Sequence, residues 1–200
     1  MTTLIFLATA IALLILLVRL ITKLIQHKSS ISSIRTIAIL LIGYIVIWTC
    51  FYFLSTYKPI PLGTDVCFDD WCATITSIEH PDSLGKGNQT VYPQGQFVIL
   101  HIKMSNHARG IAQKPSEPRI HIIDENGRSW SFSEAGQQAL ETQTGKQISF
   151  DSRLELHQSL ETQLVFDIPV NAKQLKAFIE EGPNITKLLF RENEEVFLIQ

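Results

Sequence analysis

Charge is scarce in this sequence and forms no run of one sign. Lys and Arg number 17 against 19 Asp and Glu, so the 200 residues carry a formal net charge of −2. A protein that binds nucleic acid needs a cluster of basic side chains to neutralise phosphates. Because the sequence has no such cluster, we predict that the chain has no nucleic-acid partner.

Cysteine is equally scarce, and the motifs of common catalytic sites are missing. The sequence has three cysteines and contains neither G-x-S-x-G nor H-E-x-x-H. Two of its six histidines, His101 and His121, lie in the middle of predicted strands, and one sheet could bring them together. A general base would also need a nucleophile and an orienting group beside it, and the serines fall in predicted loops and turns. We therefore predict a non-catalytic protein with no cofactor.

The shortage of charge in the first quarter of the chain leaves two long apolar runs. Residues 4–25 have no charge before Arg19, and residues 36–54 have none at all. At about 1.5 Å per helical residue, each run can cross a hydrocarbon layer of about 30 Å. A cleaved signal peptide carries basic residues before its apolar core, whereas here they follow it. We predict two retained transmembrane helices, over residues 1–27 and 36–57.

Basic residues set the predicted orientation of these helices. They cluster in and around the segment of residues 28–35 and are Arg19, Lys23, Lys28 and Arg35. The positive-inside rule places such a cluster in the cytoplasm. We therefore expect the N-terminus and everything after Lys58 to be extracytoplasmic, with the lipid bilayer as one partner of the chain.

After the second apolar run the composition becomes that of a β-rich domain. Pro59 and Pro61 stiffen the backbone, so we assign residues 58–64 to a linker and residues 65–200 to one domain. Predicted strands cover residues 72–78, 96–106, 119–132 (a hairpin that turns at Asn126-Gly127), 153–157, 161–169, 187–190 and 195–199, with a last turn at 192–194. Two short helices are predicted over residues 133–142 and 171–182, with Ser133 and Asn171 as their caps.

Alternation within the strands predicts their architecture. In residues 96–106 one face carries Val98, Leu100, Ile102 and Met104, and the other face becomes polar along the strand. Short strands at this spacing, about seven or eight of them, are typical of two packed sheets. We predict a mainly β protein, in which an immunoglobulin-like antiparallel β-sandwich follows two transmembrane helices.

The stretch CFDDWC, from Cys67 to Cys72, opens this domain and has three interpretations. A structural zinc site needs four ligands, and neither Cys50, which lies in an apolar run, nor a histidine at a suitable spacing completes the set. A thiol redox site usually has two residues between its cysteines and a helix behind them, whereas here there are four residues and a strand. A disulfide suits the oxidising compartment that the predicted topology implies. We predict a Cys67–Cys72 disulfide that pins the linker to the first strand.

Two acidic groups are candidate cation sites. Asp65, Asp69 and Asp70 form one, and residues 124–126 form the other at a hairpin tip. Calcium prefers six to eight oxygen ligands, which is more than either group supplies alone. Solvated turns are the simpler interpretation, so we predict no metal site.

Long loops are candidate interaction surfaces, because loops on a rigid scaffold commonly carry binding residues. The loop of residues 106–118 holds Arg109 and Lys114. Together with Asp69 and Asp70, these are the residues that we take from the sequence as candidates for contact with a partner.

Four strand-forming stretches follow one another along the chain: FDDWCATITSIE, then GQFVILHIKMSNHA, then IHIIDENGRSWSF, then LVFDIPVNAKQL. This order resembles the bacterial extracellular domain family of unknown function that has a telokin-like, immunoglobulin-like fold. The resemblance covers roughly residues 65–200, and its motifs are strand patterns together with Asn106 and residues 167–169. It implies a domain tethered to the cell surface and no catalytic residue; here the tether would be the helical hairpin.

Two functions follow as hypotheses. The first is a membrane-anchored extracytoplasmic domain that acts by non-catalytic binding to a protein, the cell envelope or a small ligand. The second is an accessory subunit of a membrane complex that assembles through its helical hairpin. Small residues on the helices, Ala8, Ala12 and Gly43, would then let a partner helix approach closely.

Overall fold

The structure is a computed structural model of the chain, and it describes residues 2–26, 29, 31–54, 57–68, 70–182 and 195–199. Contacts between residues divide the chain into two compact units. The first contains two N-terminal helices, and the second is a β-rich domain.

The first unit is a pair of packed helices, α1 (Thr2–Ile25) and α2 (Ile31–Leu54). The less exposed residues of α2 recur at the spacing of one helix face; they include Ser33, Ile37, Leu40, Tyr44 and Trp48. Tyr44 packs against Phe6 of α1, with ring centroids 6.3 Å apart. Elsewhere the described side chains of both helices are largely exposed and apolar, and each helix is long and apolar enough to cross a membrane.

Helix α2 begins earlier than its predicted span, which started at residue 36. Residues 31–35, assigned from the sequence to the cytoplasmic loop, already form helix. Thr36 Oγ1 donates back to Ser32 O at 3.0 Å within this first turn. Arg35 does not end the helix, because arginine has a high helix propensity.

In the part of the second unit that the structure describes, nine strands form two sheets. They are β1 (Lys58–Ile60), β2 (Val66–Phe68), β3 (Trp71–Glu79), β4 (Gln96–Asn106), β5 (Arg119–Ile123), β6 (Ser129–Trp130), β7 (Ser159–Ile168), β8 (Lys176–Glu180) and β9 (Glu195–Leu198). One sheet has the order β1-β9-β8-β5-β6 and the other the order β2-β3-β4-β7. All neighbours are antiparallel except β1 and β9, which are parallel.

The core lies between the two sheets, which confirms a β-sandwich. Strand β4 keeps its predicted bounds and turns its predicted apolar face inward; Val98, Leu100, Ile102 and Met104 are at most 1% exposed. Residues of the facing sheet belong to the same buried cluster, among them Ile120, Ile122 and Phe197.

A third helix, α3 (Glu134–Thr144), covers part of the outer face of the four-stranded sheet. As predicted, Ser133 caps it, and its side chain accepts a bond from Gly136 N at 3.2 Å. A second buried cluster joins the helix to the sheet; it contains Ala139 and Leu140 of α3 with Leu84, Phe97, Ile99 and Val165. Gly136 permits this close approach, because a Cβ there would lie 2.6 Å from Val165 Cγ1.

Helix α3 also seals part of the edge of β7. The side chain of Gln137 accepts a bond from Val165 N at 3.1 Å and donates to Gln163 O at 3.0 Å. An unpaired edge strand invites pairing with another chain. At these two backbone groups the side chain of Gln137 takes the place of a neighbouring strand and so blocks such pairing.

The predicted helix over residues 171–182 is wrong, because part of it forms strand β8. Residues 177–180 are all buried, and β8 lies between β5 and β9. A strand buried on both faces loses its alternation, so its sequence cannot be told from that of a buried helix by periodicity. The predicted cap Asn171 lies in a turn in which Ala172 N donates to Pro169 O at 2.9 Å.

Other assignments divide into those that hold and those that differ. The hairpin around Gly127 forms as predicted, with φ at +76°. Residues 58–60, predicted as linker, form edge strand β1, where Pro59 is tolerated because one side of the strand is free.

The strand predicted over residues 153–157 is reduced to an isolated bridge at Leu154. The predicted strand at 187–190 and the turn at 192–194 lie outside the described residues.

Replacing Gly136 with alanine should destabilise the domain, because the new Cβ would meet Val165 at 2.6 Å and Phe97 at 3.2 Å. Overpacking of this kind costs about 1–3 kcal/mol. Gly110→Ala is the matched control, since a Cβ at Gly110 meets nothing within 4 Å. Urea unfolding of the full chain in detergent, followed by tryptophan fluorescence, compares the two; equal midpoints would contradict the close packing of α3.

Candidate functional site

The two cysteines of CFDDWC face each other across the hairpin of β2 and β3. Cys67 is paired in register with Cys72, and a disulfide joins them, which confirms the predicted bond. Beside it, Trp71 enters the core, stacks on Phe68 with ring centroids 5.0 Å apart, and donates from Nε1 to Glu181 Oε1 at 2.8 Å. The stretch is therefore a structural corner of the sandwich.

Among the acidic residues of this hairpin, Asp70 contacts the loop of residues 106–118, which is the other candidate region from the sequence. Its carboxylate accepts a bond from Gln113 Nε2 at 3.2 Å, and its backbone oxygen accepts one from His107 N at 2.7 Å. Asp65 is exposed, and Asp69 lies outside the described residues. Within the described ranges no group of three or more His, Cys, Asp or Glu side chains is placed to hold a metal ion. Asp70 thus ties the neighbouring loop to the corner.

The two basic candidates of that loop are both surface residues. Arg109 is exposed. Lys114 is exposed as well, and its Nζ lies 3.8 Å from Asp151 Oδ2. A hydrogen bond from Ser149, together with the positive charge of Lys114, outweighs partial burial and holds the pKa of Asp151 below its ordinary value. Lys114 therefore faces an ionised carboxylate at neutral pH.

The polar positions of the family resemblance, Asn106 and Asp167, hold loops against strands. Asn106 is 3% exposed, and its amide makes hydrogen bonds to four backbone groups of adjacent loops. The carboxylate of Asp167 accepts bonds from Gln94 N at 2.8 Å and Gly95 N at 3.0 Å. A buried amide with its hydrogen bonds satisfied fixes the loops that it joins. Both residues have structural roles here.

The acidic group at the tip of the β5–β6 hairpin also serves the fold. Asp124 is buried, and its carboxylate accepts bonds from the backbone N–H groups of Asn126 and Arg128 at 2.9 Å and from Arg128 Nε at 2.7 Å. Burial alone would raise the pKa of Asp124. The hydrogen bonds from Arg128 and Asn126 and the charge of Arg128 outweigh burial and hold that pKa below its ordinary value. The ionised carboxylate closes the turn.

His101 and His121 do not come together, so the pairing that the sequence allowed is wrong. His101 lies on β4 and His121 on β5, in different sheets. Each faces a carboxylate instead: His101 Nε2 is 2.9 Å from Glu79 Oε1, and His121 Nε2 is 3.6 Å from Glu180 Oε1.

A concave site forms where the two sheets part at one edge of the sandwich. Strand β6 pairs with β5 at Ile122 and Ile123. The chain then leaves β5, and Ser133 N donates to Val165 O of β7 at 2.7 Å. This crossover leaves the first part of β5 without a strand neighbour on that side. A cleft opens there between β5 and β7.

This β5–β7 cleft has a volume of about 460 Å³, within the range of roughly 300–1,000 Å³ that is usual for ligand sites. Its apolar lining includes Phe132, Ile148, Phe150 and Leu164, and its polar lining includes Arg119, His121, Gln137, Glu141, Lys146 and Gln147. Apolar walls with a few convergent polar groups are the usual composition of a binding site. The cleft is therefore the candidate functional site of the described domain.

Two cations line the cleft, and neither lies within ion-pair distance of a carboxylate in the part of the chain that the structure describes. They are Arg119, whose guanidinium donates to the backbone oxygen of Gly182, and the exposed Lys146. Glu141 contributes a carboxylate, which accepts a bond from Gln147 N at 3.2 Å. The lining thus carries a small excess of positive charge.

Sequence reasoning missed this cleft and considered only His121 among its lining residues. The walls come from β5, α3, β7 and residues 146–150, which are separated along the chain. The opening also depends on where β6 stops pairing with β5, which no local pattern encodes. The available signal was two apolar residues, Phe132 and Ile148, in otherwise polar segments beside α3; they are 48% and 39% exposed.

Comparison of the sequence with known protein families finds no match, and comparison with curated proteins finds none. Several solved structures are similar in fold. A conserved hypothetical protein from Bacillus anthracis is 15% identical, with 60% of this chain and 87% of that one covered and a TM-score of 0.49. The secreted protein MPT63 from Mycobacterium tuberculosis is 12% identical, with 72% and 98% covered and a TM-score of 0.46. An uncharacterised β-sandwich protein from Clostridium difficile is 14% identical, with 73% and 96% covered and a TM-score of 0.44.

At these identities and TM-scores the neighbours carry no argument about a site or an activity. The β-sandwich assigned to this chain rests on its own strand pairing and its shared core. Membership of the extracellular domain family stays a prediction from the sequence.

Replacing Asp124 with asparagine should destabilise the domain in a pH-dependent way. The native pKa of Asp124 lies below the ordinary 3.8, so the ionised side chain stabilises the folded state above that value. This contribution is lost as the pH falls through the lowered native pKa. We expect the urea midpoints of wild type and Asp124→Asn to differ at about pH 6 and to approach each other as the pH falls below 3.8.

The matched control for that experiment is Glu125→Gln, which removes a charge from the exposed neighbouring side chain and should leave the midpoint nearly unchanged. A difference between wild type and Asp124→Asn that does not vary with pH would show that the charge of Asp124 does not stabilise the turn.

Proposed function

We propose that this chain is a membrane-anchored, extracytoplasmic β-sandwich domain that acts by non-catalytic binding through the β5–β7 cleft. The observation that carries the binding role is the cleft itself, where an apolar lining, two cations without carboxylate partners among the described residues, and several neutral polar groups converge. The partner is a component of the cell envelope or of the membrane.

The exposed apolar surface of the helices supports the anchor. Large side chains such as Leu14, at 62% exposure, and Ile31, at 75%, face outward from the helix pair. Contiguous apolar surface of this extent marks a contact with lipid or protein rather than with water. The basic residues at the connected ends of the helices then favour a cytoplasmic connection.

The disulfide supports an extracytoplasmic location for the β-sandwich domain. Disulfides persist in oxidising compartments and are rare in the cytosol. The bond between Cys67 and Cys72 follows the second apolar helix, on the side that the positive-inside rule places outside. Two independent physical arguments, one from charge and one from redox chemistry, therefore agree on the compartment.

The construction of the cleft supports recognition of a partner. Three of its walls come from β5, α3 and β7, and α3 is fixed to the sheet by the close approach at Gly136 and by the two hydrogen bonds of Gln137. His121 is held by stacking on Phe178, with ring centroids 5.3 Å apart, beside Glu180. Rigid walls reduce the entropy lost on binding.

Thiol labelling in intact cells tests the topology. In a Cys50→Ser background, Arg109→Cys and Ser29→Cys each place one free thiol at an exposed position. We expect a membrane-impermeant maleimide to label the Arg109→Cys chain in intact cells and the Ser29→Cys chain only after permeabilisation. Labelling of Ser29→Cys alone in intact cells would overturn the proposed address; permeabilised cells, in which both react, are the control.

A second candidate function is assembly of a membrane complex through the helical hairpin. Gly43 favours it, because a Cβ at this position would meet nothing within 4 Å, so this small residue lies away from the contact between α1 and α2. Small residues on an open face let another helix approach closely in a membrane.

Exchange of the hairpin separates the two functions. The full chain and a chimera with an unrelated two-helix anchor are crosslinked in native membranes, and the adducts are compared by size. Assembly through the hairpin predicts that the adduct disappears in the chimera. Binding through the outer domain predicts that the adduct persists, and that result would exclude the second function.

A further inference from the structure

The first part of β5 has a free backbone edge inside the β5–β7 cleft. Antiparallel strands present the N–H and C=O of alternate residues to each side. On the β6 side these are the even-numbered residues of β5, because Ile122 pairs with Trp130 and Asp124 N donates to Arg128 O at 3.1 Å. By the same alternation the N–H and C=O of Ile120 point to that side.

No described residue takes up these two groups. The partner strand β6 ends at Trp130, and the chain then turns to β7 through the bond of Ser133 N to Val165 O. The hydrogen bonds of the described residues include none at Ile120 outside the pairing of β5 with β8. A donor and an acceptor, spaced as in a β-ladder, therefore face a cleft of about 460 Å³.

Such an edge recognises the main chain of an extended peptide. Peptide-binding domains commonly add a partner segment as a new strand, in which backbone bonds supply affinity and alternate side chains supply specificity. Here the apolar lining of the cleft, with Ile148, Phe150 and Leu164, would receive the side chains on one side of an added strand.

The charges that line the cleft indicate the sign of the charge on the partner. Arg119 belongs to the free part of β5, and Lys146 lies on the chain that follows α3. Neither has a carboxylate within ion-pair distance in the described part of the chain, whereas Glu141 already accepts a backbone bond from Gln147. Complementary charge favours acidic side chains on the partner and disfavours basic ones.

We propose that the β5–β7 cleft binds an extended acidic segment of another protein, which adds as a short strand to β5 at Ile120 and places its carboxylates beside Arg119 and Lys146. This rests on the proposed function, and it names the class of partner: a peptide strand with apolar residues alternating with Asp or Glu.

The test measures binding of synthetic peptides to the full chain in detergent micelles. The probe is a fluorescent pool of capped heptapeptides with Val, Ile, Leu or Thr alternating with Glu. Three companion pools differ in one feature each: Lys in place of Glu, N-methylation at the Glu residues, and N-methylation at the apolar residues. Fluorescence anisotropy gives the affinities, and hydrogen exchange reports on the backbone amide of Ile120.

Strand addition predicts an asymmetric result. The acidic pool should bind and slow exchange at Ile120, and the basic pool should bind at least about tenfold more weakly, which corresponds to the loss of one good polar contact. Only alternate amides of an added strand face β5. One methylated pool should therefore lose about tenfold in affinity while the other stays close to the unmethylated pool.

Variants of the chain locate the site. Arg119→Gln and Lys146→Gln should each weaken binding of the acidic pool by about threefold to tenfold. Lys103→Gln and Arg153→Gln remove exposed cations outside the cleft lining and are the matched controls, with no change expected. Near-ultraviolet circular dichroism checks that each variant is folded.

Several outcomes overturn the proposal. These are no binding of the acidic pool, equal binding of the acidic and basic pools, equal effects of the two methylated pools, or equal effects of the cleft and control variants. Failure here is distinct from failure of the proposed function. The membrane topology is tested by thiol labelling alone. If the chain is labelled from outside but binds no acidic peptide, the extracytoplasmic location stands and the acidic peptide partner is excluded.

Discussion

The pairing of β4 with β7 is the constraint on which the rest of the domain depends. The two strands run antiparallel over ten residue pairs, from Gln96↔Ile168 to Ser105↔Ser159. The inner side of this pair supplies the core, and its outer side receives α3. Both ends are held by buried or partly buried polar side chains, Asp167 at one end and Asn106 at the other. Polar residues that invite a functional interpretation therefore serve to hold loops on this pair of strands.

Protection of the β7 edge and the opening of the cleft have one cause. Strand β7 has no neighbour beyond β4, so its free edge would invite aggregation. The chain after β6 crosses to β7, Ser133 and Gln137 bind its backbone, and α3 settles on the sheet. That crossover takes the chain away from β5, whose edge at Ile120 is left facing the gap. The same crossover therefore covers the edge of β7 and leaves the edge of β5 open.

Local signals were sufficient where neighbours in sequence are also neighbours in space. Gly127 predicted a hairpin because only a few residues tolerate its positive φ. Ser133 predicted the start of α3 because its side chain can accept a bond from the first turn. Cys67 and Cys72 predicted a disulfide because the implied compartment is oxidising, and the structure adds a short hairpin that brings them opposite each other. The alternation of β4 predicted its buried face.

What the sequence determined by itself is thus the kind of protein: two apolar helices, a β-sandwich, a helix with its cap and a disulfide at the corner. The tertiary structure decided what depends on partners distant in the chain. It made a strand of residues 176–180, because burial between β5 and β9 outweighs a helix-like pattern. It made an edge strand of residues 58–60, because β9 supplies a partner. It also created the cleft, because a gap between two sheets is set by where strands stop pairing, and no residue encodes that alone.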